Sequence, residues 1–299
     1  MRSLQNSITG PSKGALNARA SAEPSPIPMN DQQRKTMLKE TFNTVAAGYD
    51  GKALRFFPES ARRLAALLDL RGNEDVLDVA TGTGHAALAL AARLPQGRVT
   101  AVDFSPGMLE QARMKAASQK VANVDFLEGD MQDLGFPAGR FDAAVCSFGI
   151  FFVEDMDTQL AHIVGTVKRG GQVAISGFQE NYFHQLKDLM VARLERYGVQ
   201  MPPQTWKRIA NEKGCIELFQ KAGLRDIRVV PENVGYFLDN AEAWWSVIWN
   251  AGFRRMVSQL SPPDQERFQQ EHLEEVAALA TSKGIWLDVG VLFTIGRKS

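Results

Sequence analysis

Two hydrophobic spacings alternate along the middle of this chain. Short apolar runs at Val76, Leu77 and Val79, at Arg98–Asp103, at Val124–Leu127, at Phe141–Phe148 and after Lys168 up to Ser176 have the length of buried strands. Between them apolar residues recur every three or four positions, as in Ala86–Leu94 and in Met108, Leu109 and Ala112, which is the spacing of a helix with one buried face. Strand and helix in strict alternation predict an α/β fold built on a mostly parallel, doubly wound sheet. Ser105 followed by Pro106 marks a helix start, with a capping hydroxyl and a proline at the first helical position.

The flanks read differently. Helices are expected over Asp31–Asn43 and Pro58–Leu70, the second carrying Leu64, Leu67 and Leu68 at helical spacing. Residues 180–222 read as mainly helical, broken at Gly198 and at Pro202-Pro203. A sixth strand is expected over Leu224–Val230, then helices over Ala241–Leu260 and Pro263–Ser282, then a last strand over Asp288–Arg297. The expected division is a leader at 1–30, N-terminal helices at 31–73, a core at 74–179, a helical cap at 180–222, and the last two strands at 223–299 with a helical insertion at 241–282. The leader is rich in Ser, Pro and Ala, and Pro24, Pro26 and Pro28 bar a helix there. Arg2, Lys13 and Arg19 with few acids leave a removable targeting segment as the lesser alternative to a disordered one.

The chemistry concentrates where the first strand meets its helix, in Val76-Leu-Asp-Val-Ala-Thr-Gly-Thr-Gly-His85. Gly82 and Gly84 leave the main chain open to close approach by a ligand. Gly82-x-Gly84-x-x-Ala87 fits a relaxed dinucleotide fingerprint, in which the helix N-terminus holds a pyrophosphate. Asp78, four positions before Gly82, argues the other way, because a carboxylate there repels phosphate and suits a cationic amine. Asp103 ends the second strand and can accept hydrogen bonds from both hydroxyls of a ribose; dinucleotide enzymes use an acid in the same way, so it does not separate the readings.

The order of Asp78, the two glycines, Asp103, Gly129-Asp130-Met131, the strand Phe141–Phe148 and the turn at Lys168-Arg-Gly-Gly resembles the class I S-adenosylmethionine-dependent methyltransferases. Within them it resembles the ubiquinone/menaquinone-biosynthesis group of small-molecule methyltransferases. Upstream, Thr41–Asp50 looks like the segment that precedes the first strand in that group. The resemblance implies a Rossmann-like sheet of seven strands whose last strand is antiparallel and inserted beside the sixth, with a helical cap. It implies a cofactor site formed by Tyr49, Asp78, Ala80, Thr81, Gly82, Thr83 and Gly84 together with Asp103, Phe104, Met108, Asp130, Met131 and Ser147. Tyr49 would close over the methionine end and Asp130 would receive the adenine amino group.

Methyl transfer from a sulfonium is an in-line displacement whose reactivity the cofactor carries, so a fixed base is needed only when the acceptor arrives protonated. His184, after the fifth strand, is the leading candidate for that base, weighed against an ordinary surface or capping histidine. His85 is expected to orient the loop or pack, and Glu154 and Asp155 to begin a helix. Phe148, Phe151 and Phe152 follow the fourth strand; many members of the group carry histidines near the last two positions, so phenylalanine there favours an apolar or aromatic acceptor. Trp245 and Trp249, beside Trp244 and Phe253, either line a pocket for a ring or an isoprenoid-like chain or pack the cap onto the fold. Cys146, inside an apolar strand, reads as packing.

Composition narrows the alternatives. Basic and acidic residues balance at 34 each, which gives no broad electrostatic case for nucleic acid. The two cysteines and four histidines show neither a disulfide framework nor metal-ligand spacing, and no metal is expected. No apolar run is long enough to span a bilayer, and a cytoplasmic location is expected. The reading is therefore methyl transfer to a small, fairly apolar, aromatic or isoprenoid-like molecule at oxygen, nitrogen or carbon. The alternatives are an NAD(P)-dependent oxidoreductase and a scaffold that binds the cofactor without catalysis. The sequence leaves the oligomeric state open.

Overall fold

The computed structural model describes residues 30–201 and 204–299. The expected leader up to residue 29 and the break expected at Pro202-Pro203 lie outside the described residues. Asn30, assigned to that leader, is instead the cap of helix α1 (Asp31–Val45): its side chain accepts from the Gln33 amide, and the Gln33 side chain accepts from the Asn30 amide.

Two single 3₁₀ turns, Ala46–Gly48 and Lys52–Leu54, lead to α2 (Phe56–Leu67). The alternating core follows as β1 (Asp75–Val79), α3 (His85–Ala91), β2 (Arg98–Asp103), α4 (Pro106–Ser118), β3 (Val124–Glu128), β4 (Phe141–Ser147), α5 (Met156–Thr166) and β5 (Val167–Phe178). Beyond it lie α6 (Leu186–Arg196), α7 (Glu212–Lys221), β6 (Leu224–Asn233), β7 (Tyr236–Leu238), α8 (Ala241–Trp249), α9 (Arg254–Val257), α10 (Pro262–Ala277), β8 (Ile285–Leu287) and β9 (Gly290–Lys298).

The main sheet has the order β3-β2-β1-β4-β5-β9-β6, parallel except for β9, which runs antiparallel to both β5 and β6. This matches the expected seven strands with an inserted antiparallel last strand. The central strands are apolar because both their faces are covered. Val76 and Val145 pack with α2, α3 and the cap helices, while Leu77 and Cys146 pack with α5 and α7. Strand order reverses between β1 and β4, so a cleft opens beyond their carboxyl ends, where ligands bind in open α/β sheets.

Two expectations are corrected, and one element is added. The helix expected over Ala241–Leu260 is two helices, with a turn at 250–253 between α8 and α9. Apolar spacing runs on through Ala251, Met256 and Val257, so periodicity alone hides the break. Asn250 closes α8 and presses its side chain on Gly48, where an added Cβ would overlap Asn250 Oδ1. The sixth strand continues past Val230 to Asn233 through Pro231; it is an edge strand, where a residue with no N–H is tolerated. The two-stranded ribbon β7–β8, which frames the insertion, is too short to show a period in sequence. No helix among the described residues is long and apolar enough to cross a membrane.

Candidate active site

A cavity of about 1030 Å³, counted to its open mouth, sits at the carboxyl ends of β1, β2 and β4 beneath α1 and the turn that carries Tyr49. Buried acids and bare main chain line it together with several aromatic rings.

Asp78 forms the floor. It is fully buried. Thr81 Oγ1 donates to its Oδ2 at 2.5 Å, while Oδ1 has no hydrogen-bond partner among the described residues. Burial pushes the carboxyl up to about 7, against the pull of the Thr81 hydroxyl. An orphaned buried acceptor is costly, and a donor arriving with a ligand relieves that cost. Past Asp78 the chain turns through Ala80 at φ 55° and Gly82 at φ 56°. A left-handed alanine is uncommon and carries backbone strain. Gly82 faces open space, since a Cβ there would meet nothing within 4 Å. Gly84, expected at the cofactor, does not line the cavity. Its Cβ would lie 3.0 Å from Ala112 Cβ and 3.2 Å from the Phe126 ring, so this glycine seats α3 against α4 and β3.

Asp103 stands opposite. Its Oδ2 accepts the Gly82 amide at 2.8 Å and its Oδ1 the Ser105 amide at 2.9 Å; burial pushes the carboxyl up to about 6 against those amides. Both oxygens keep lone pairs for further donors. Asp130, expected to receive the adenine amino group, already has protein partners: Lys35 from α1 pairs with its Oδ2 at 2.7 Å, and the Gln132 amide donates to Oδ1 at 2.9 Å. Met131, Phe104 and Met108 complete that wall, and Gln159 Nε2 holds the Met131 carbonyl at 2.7 Å.

The aromatic rings come from separate elements. The Tyr49 ring stacks on Phe57 at 4.8 Å, and Phe57 meets Phe148 edge-on at 5.4 Å. Phe42 of α1 meets Phe152 edge-on at 5.2 Å. Phe148 is held at φ 52°, its amide donating to the Ser176 carbonyl at 3.0 Å, and the Ser147 and Ser176 hydroxyls lie 2.9 Å apart. A second non-glycine residue in the left-handed region at the same cavity is the kind of strain that clusters at functional sites.

Four residues that the sequence suggested for the site lie elsewhere. His184 is exposed and pairs with Asp188 one turn on, at 2.8 Å, so it has no access to the cavity as a base. Phe151 packs between the two core clusters, and its carbonyl accepts the Thr205 hydroxyl. Trp245 stacks on Trp249 at 5.7 Å and meets Phe268 at 6.2 Å, and Trp249 lies under Arg254; these rings fasten α8 to α10 and line no part of the cavity. As expected, Asp155 caps α5, accepting from the Thr158 amide, and burial pushes the Cys146 thiol up.

Sequence reasoning missed Arg34, Lys35, Leu38, Phe42 and Phe57 as lining residues. A signal was present: Arg34, Leu38 and Phe42 are spaced four apart, which is one stripe of α1. It also missed that His85 Nε2 and Lys115 Nζ both bind Asp50, at 2.8 and 2.7 Å. Of the basic side chains around the cavity, Lys35 pairs with Asp130, His85 hydrogen-bonds Asp50, and Arg34 pairs with Asp31 and donates to the Phe152 carbonyl, while Arg34 Nε has no hydrogen-bond partner among the described residues. The wall sets an orphaned acid, Asp78, beside a bare main-chain turn. That combination fits a ligand that brings an amine to Asp78. No group of acids, histidines and cysteines suited to a metal occurs among the described residues.

Comparison with known proteins gives the same result. The family described as a methyltransferase domain matches residues 76–171. The ubiquinone/menaquinone biosynthesis C-methyltransferase of Geotalea daltonii is 34% identical over 51% of this chain and 67% of its own length. Aklanonic acid methyltransferase DauC of a Streptomyces species is 28% identical over 60% of this chain and 83% of its own. Among solved structures, the [4+2]-cyclase SpnF superposes with a TM-score of 0.55 at 19% identity, covering 89% of this chain and 96% of that one, which shows the fold alone. The chain belongs to the class I S-adenosylmethionine-dependent methyltransferases of the ubiquinone/menaquinone-biosynthesis type, and it is a small-molecule methyltransferase.

Proposed function

We propose that the chain transfers a methyl group from S-adenosylmethionine to a small, ring-bearing, largely apolar acceptor of the quinol or aromatic polyketide kind. The observation that carries this reading is the set of aromatic rings, Tyr49, Phe57, Phe148 and Phe152, that line the cavity. Such faces bind planar rings by offset stacking and edge contacts. The two relatives described above are named for ubiquinone/menaquinone biosynthesis and for aklanonic acid, which supports a ring-bearing acceptor.

When bound, the cofactor supplies the methyl group on a positively charged sulfur leaving group. In this reading the orphaned Asp78 oxygen receives the α-amino group, Asp103 receives the ribose hydroxyls, and the Asp130–Met131 turn borders the adenine. Gly82 lets the main chain approach, and Ala80, Thr81 and Ser147 shape the floor. Tyr49 and Phe57 cover the methionine end, and together with α1 they exclude water. The protein contributes alignment of nucleophile, methyl and sulfur along one line.

No lining group among the described residues is set up as a base for the acceptor. His85 has its Nε2 on Asp50 and Lys115 Nζ 3.3 Å from its Nδ1, so both ring nitrogens have protein neighbours, and Asp78 and Asp103 face the cofactor side. The acceptor therefore arrives as an ionised or readily ionised phenol, enol or activated ring carbon, and its proton leaves to solvent. Oxygen, nitrogen and carbon acceptors differ in how well they meet that condition; amines already protonated at neutral pH meet it worst.

The test is formation of S-adenosylhomocysteine with a panel of a hydroxylated aromatic polyketide, a demethylated quinol and a short aliphatic amine. Turnover of a ring compound and none of the amine supports the reading. Turnover of the amine alone overturns it. Cofactor binding with no turnover of any ring compound returns the scaffold alternative.

A further inference from the structure

Asp50 follows Tyr49 in the turn between α1 and α2, outside the cavity wall proper. Its carboxylate gathers three groups from later in the chain. Lys115 Nζ of α4 binds Oδ2 at 2.7 Å, His85 Nε2 at the start of α3 binds Oδ1 at 2.8 Å, and Thr83 Oγ1 of the glycine loop donates to Oδ1 at 2.7 Å. Lys115 also donates to the Thr83 carbonyl at 3.0 Å. The Lys115 and His85 side chains are 16% and 18% exposed and that of Asp50 is 31% exposed, so solvent screens these pairs less than it screens fully exposed surface pairs. On the other side of Tyr49, Gly48 is pressed against Asn250 of the cap, with no room for a Cβ. The turn is thus pinned on both sides of Tyr49, whose ring lines the cavity.

We propose that Asp50 is a positioning residue, a latch that fastens the Tyr49 turn to the glycine loop so that cover and loop close on the cofactor as one unit. This rests on the assignment of Tyr49 to the methionine end of the cofactor. Nothing requires Asp50 to touch the ligand. Its carboxylate is held by three protein donors, and its effect passes through the Tyr49 ring on one side and Thr83 on the other. The arrangement also explains why Lys115, on a helix otherwise engaged in packing, reaches back to the loop. Without Asp50 this cation would stand there with no carboxylate to balance it.

A double-mutant cycle read by calorimetric titration with S-adenosylhomocysteine tests this, with thermal melting of each protein alongside. Asp50→Asn is expected to weaken binding roughly tenfold when Tyr49 is present and by less than about twofold once Tyr49→Ala is in place, because residues that act through one another are not additive. Lys115→Met, which leaves Asp50 its histidine and threonine partners, gives the same non-additivity at smaller size and serves should Asp50→Asn fail to fold. Equal losses in both backgrounds, tracking the fall in melting temperature, overturn the latch and leave Asp50 as packing. Wild-type protein that binds no S-adenosylhomocysteine overturns the cofactor assignment beneath it.

Discussion

The Gly82 amide donates to the Asp103 carboxylate at 2.8 Å, tying the bare turn after β1 to the acid that ends β2. The cofactor loop is shaped by a residue twenty-one positions away, and loop and acid answer to one another. Asp103→Ala therefore removes a ligand acceptor and also leaves the Gly82 and Ser105 amides without their partner. Affinity for S-adenosylhomocysteine is expected to fall by more than about tenfold, the loss of one or two charge-assisted hydrogen bonds. Asp103→Asn keeps an acceptor for one amide and should fall less. Unchanged affinity in the alanine variant would remove the ribose assignment.

Binding should be coupled to protons. Burial holds Asp78 up to about 7 and Asp103 up to about 6 in the ligand-free protein. Because these folded-state values are raised, the stability the acids contribute is present at low pH and is lost as pH rises through about 6 to 7. An ammonium group on Asp78 favours the ionised form, so affinity for S-adenosylhomocysteine should weaken as pH drops below the Asp78 value, with proton release on binding. Calorimetry at about pH 6 in two buffers of different ionisation enthalpy measures that release. Asp78→Asn should abolish the part of it that titrates near neutrality; a release unchanged in that variant would assign the proton elsewhere.

The cap has its own titrating group. Trp244 Nε1 donates to His272 Nε2 at 2.8 Å in a fully buried site, and burial holds the imidazole down at about 4. The folded value is depressed, so this contribution to stability is present above about 6.5 and is lost as pH falls toward 4. Across that window it amounts to about 3 kcal/mol. His272→Leu leaves the indole N–H unpaired at about 2 kcal/mol cost near neutrality. Denaturant midpoints of wild type and variant should converge on acidification; parallel curves would contradict the assignment.

Trp245 and Phe152 should separate cleanly. Trp245 packs on Trp249 and Phe268, so Trp245→Ala should cost about 2 kcal/mol of stability and leave the acceptor KM of the folded protein near wild type. Phe152→Ala should raise that KM by about tenfold with a smaller change in cofactor affinity. A raised KM in Trp245→Ala with unchanged melting would restore the pocket role that the sequence suggests for it.

The order of strands and the position of Asp78, Gly82 and Asp103 are legible in sequence because each depends on adjacent residues: an apolar run, a turn residue, an acid at a strand end. Gly84 is misread there because a glycine needed for helix packing and a glycine needed for ligand approach look alike until Ala112 and Phe126 are seen beside it. Lys35 on Asp130, Lys115 on Asp50 and Phe57 on Tyr49 join residues of separate elements that share no period. His184 is over-read because its place after β5 fixes the sheet edge but not the direction of a side chain that Asp188 holds in solvent. The aromatic stripe of α8 can be assigned to core or pocket only once α10 is seen to cover it.

An acidic cleft that takes a cationic, amine-bearing cofactor differs from a dinucleotide site in which ligand it binds. Calorimetric titration of the purified protein with S-adenosylhomocysteine, and in parallel with NAD⁺ and NADP⁺, separates the two. Saturable binding of S-adenosylhomocysteine is expected, lost in Asp103→Ala, with no heat from either dinucleotide. Binding of a dinucleotide without S-adenosylhomocysteine would contradict the cofactor assignment, and would mean that the unpaired Asp78 oxygen faces something other than an amine.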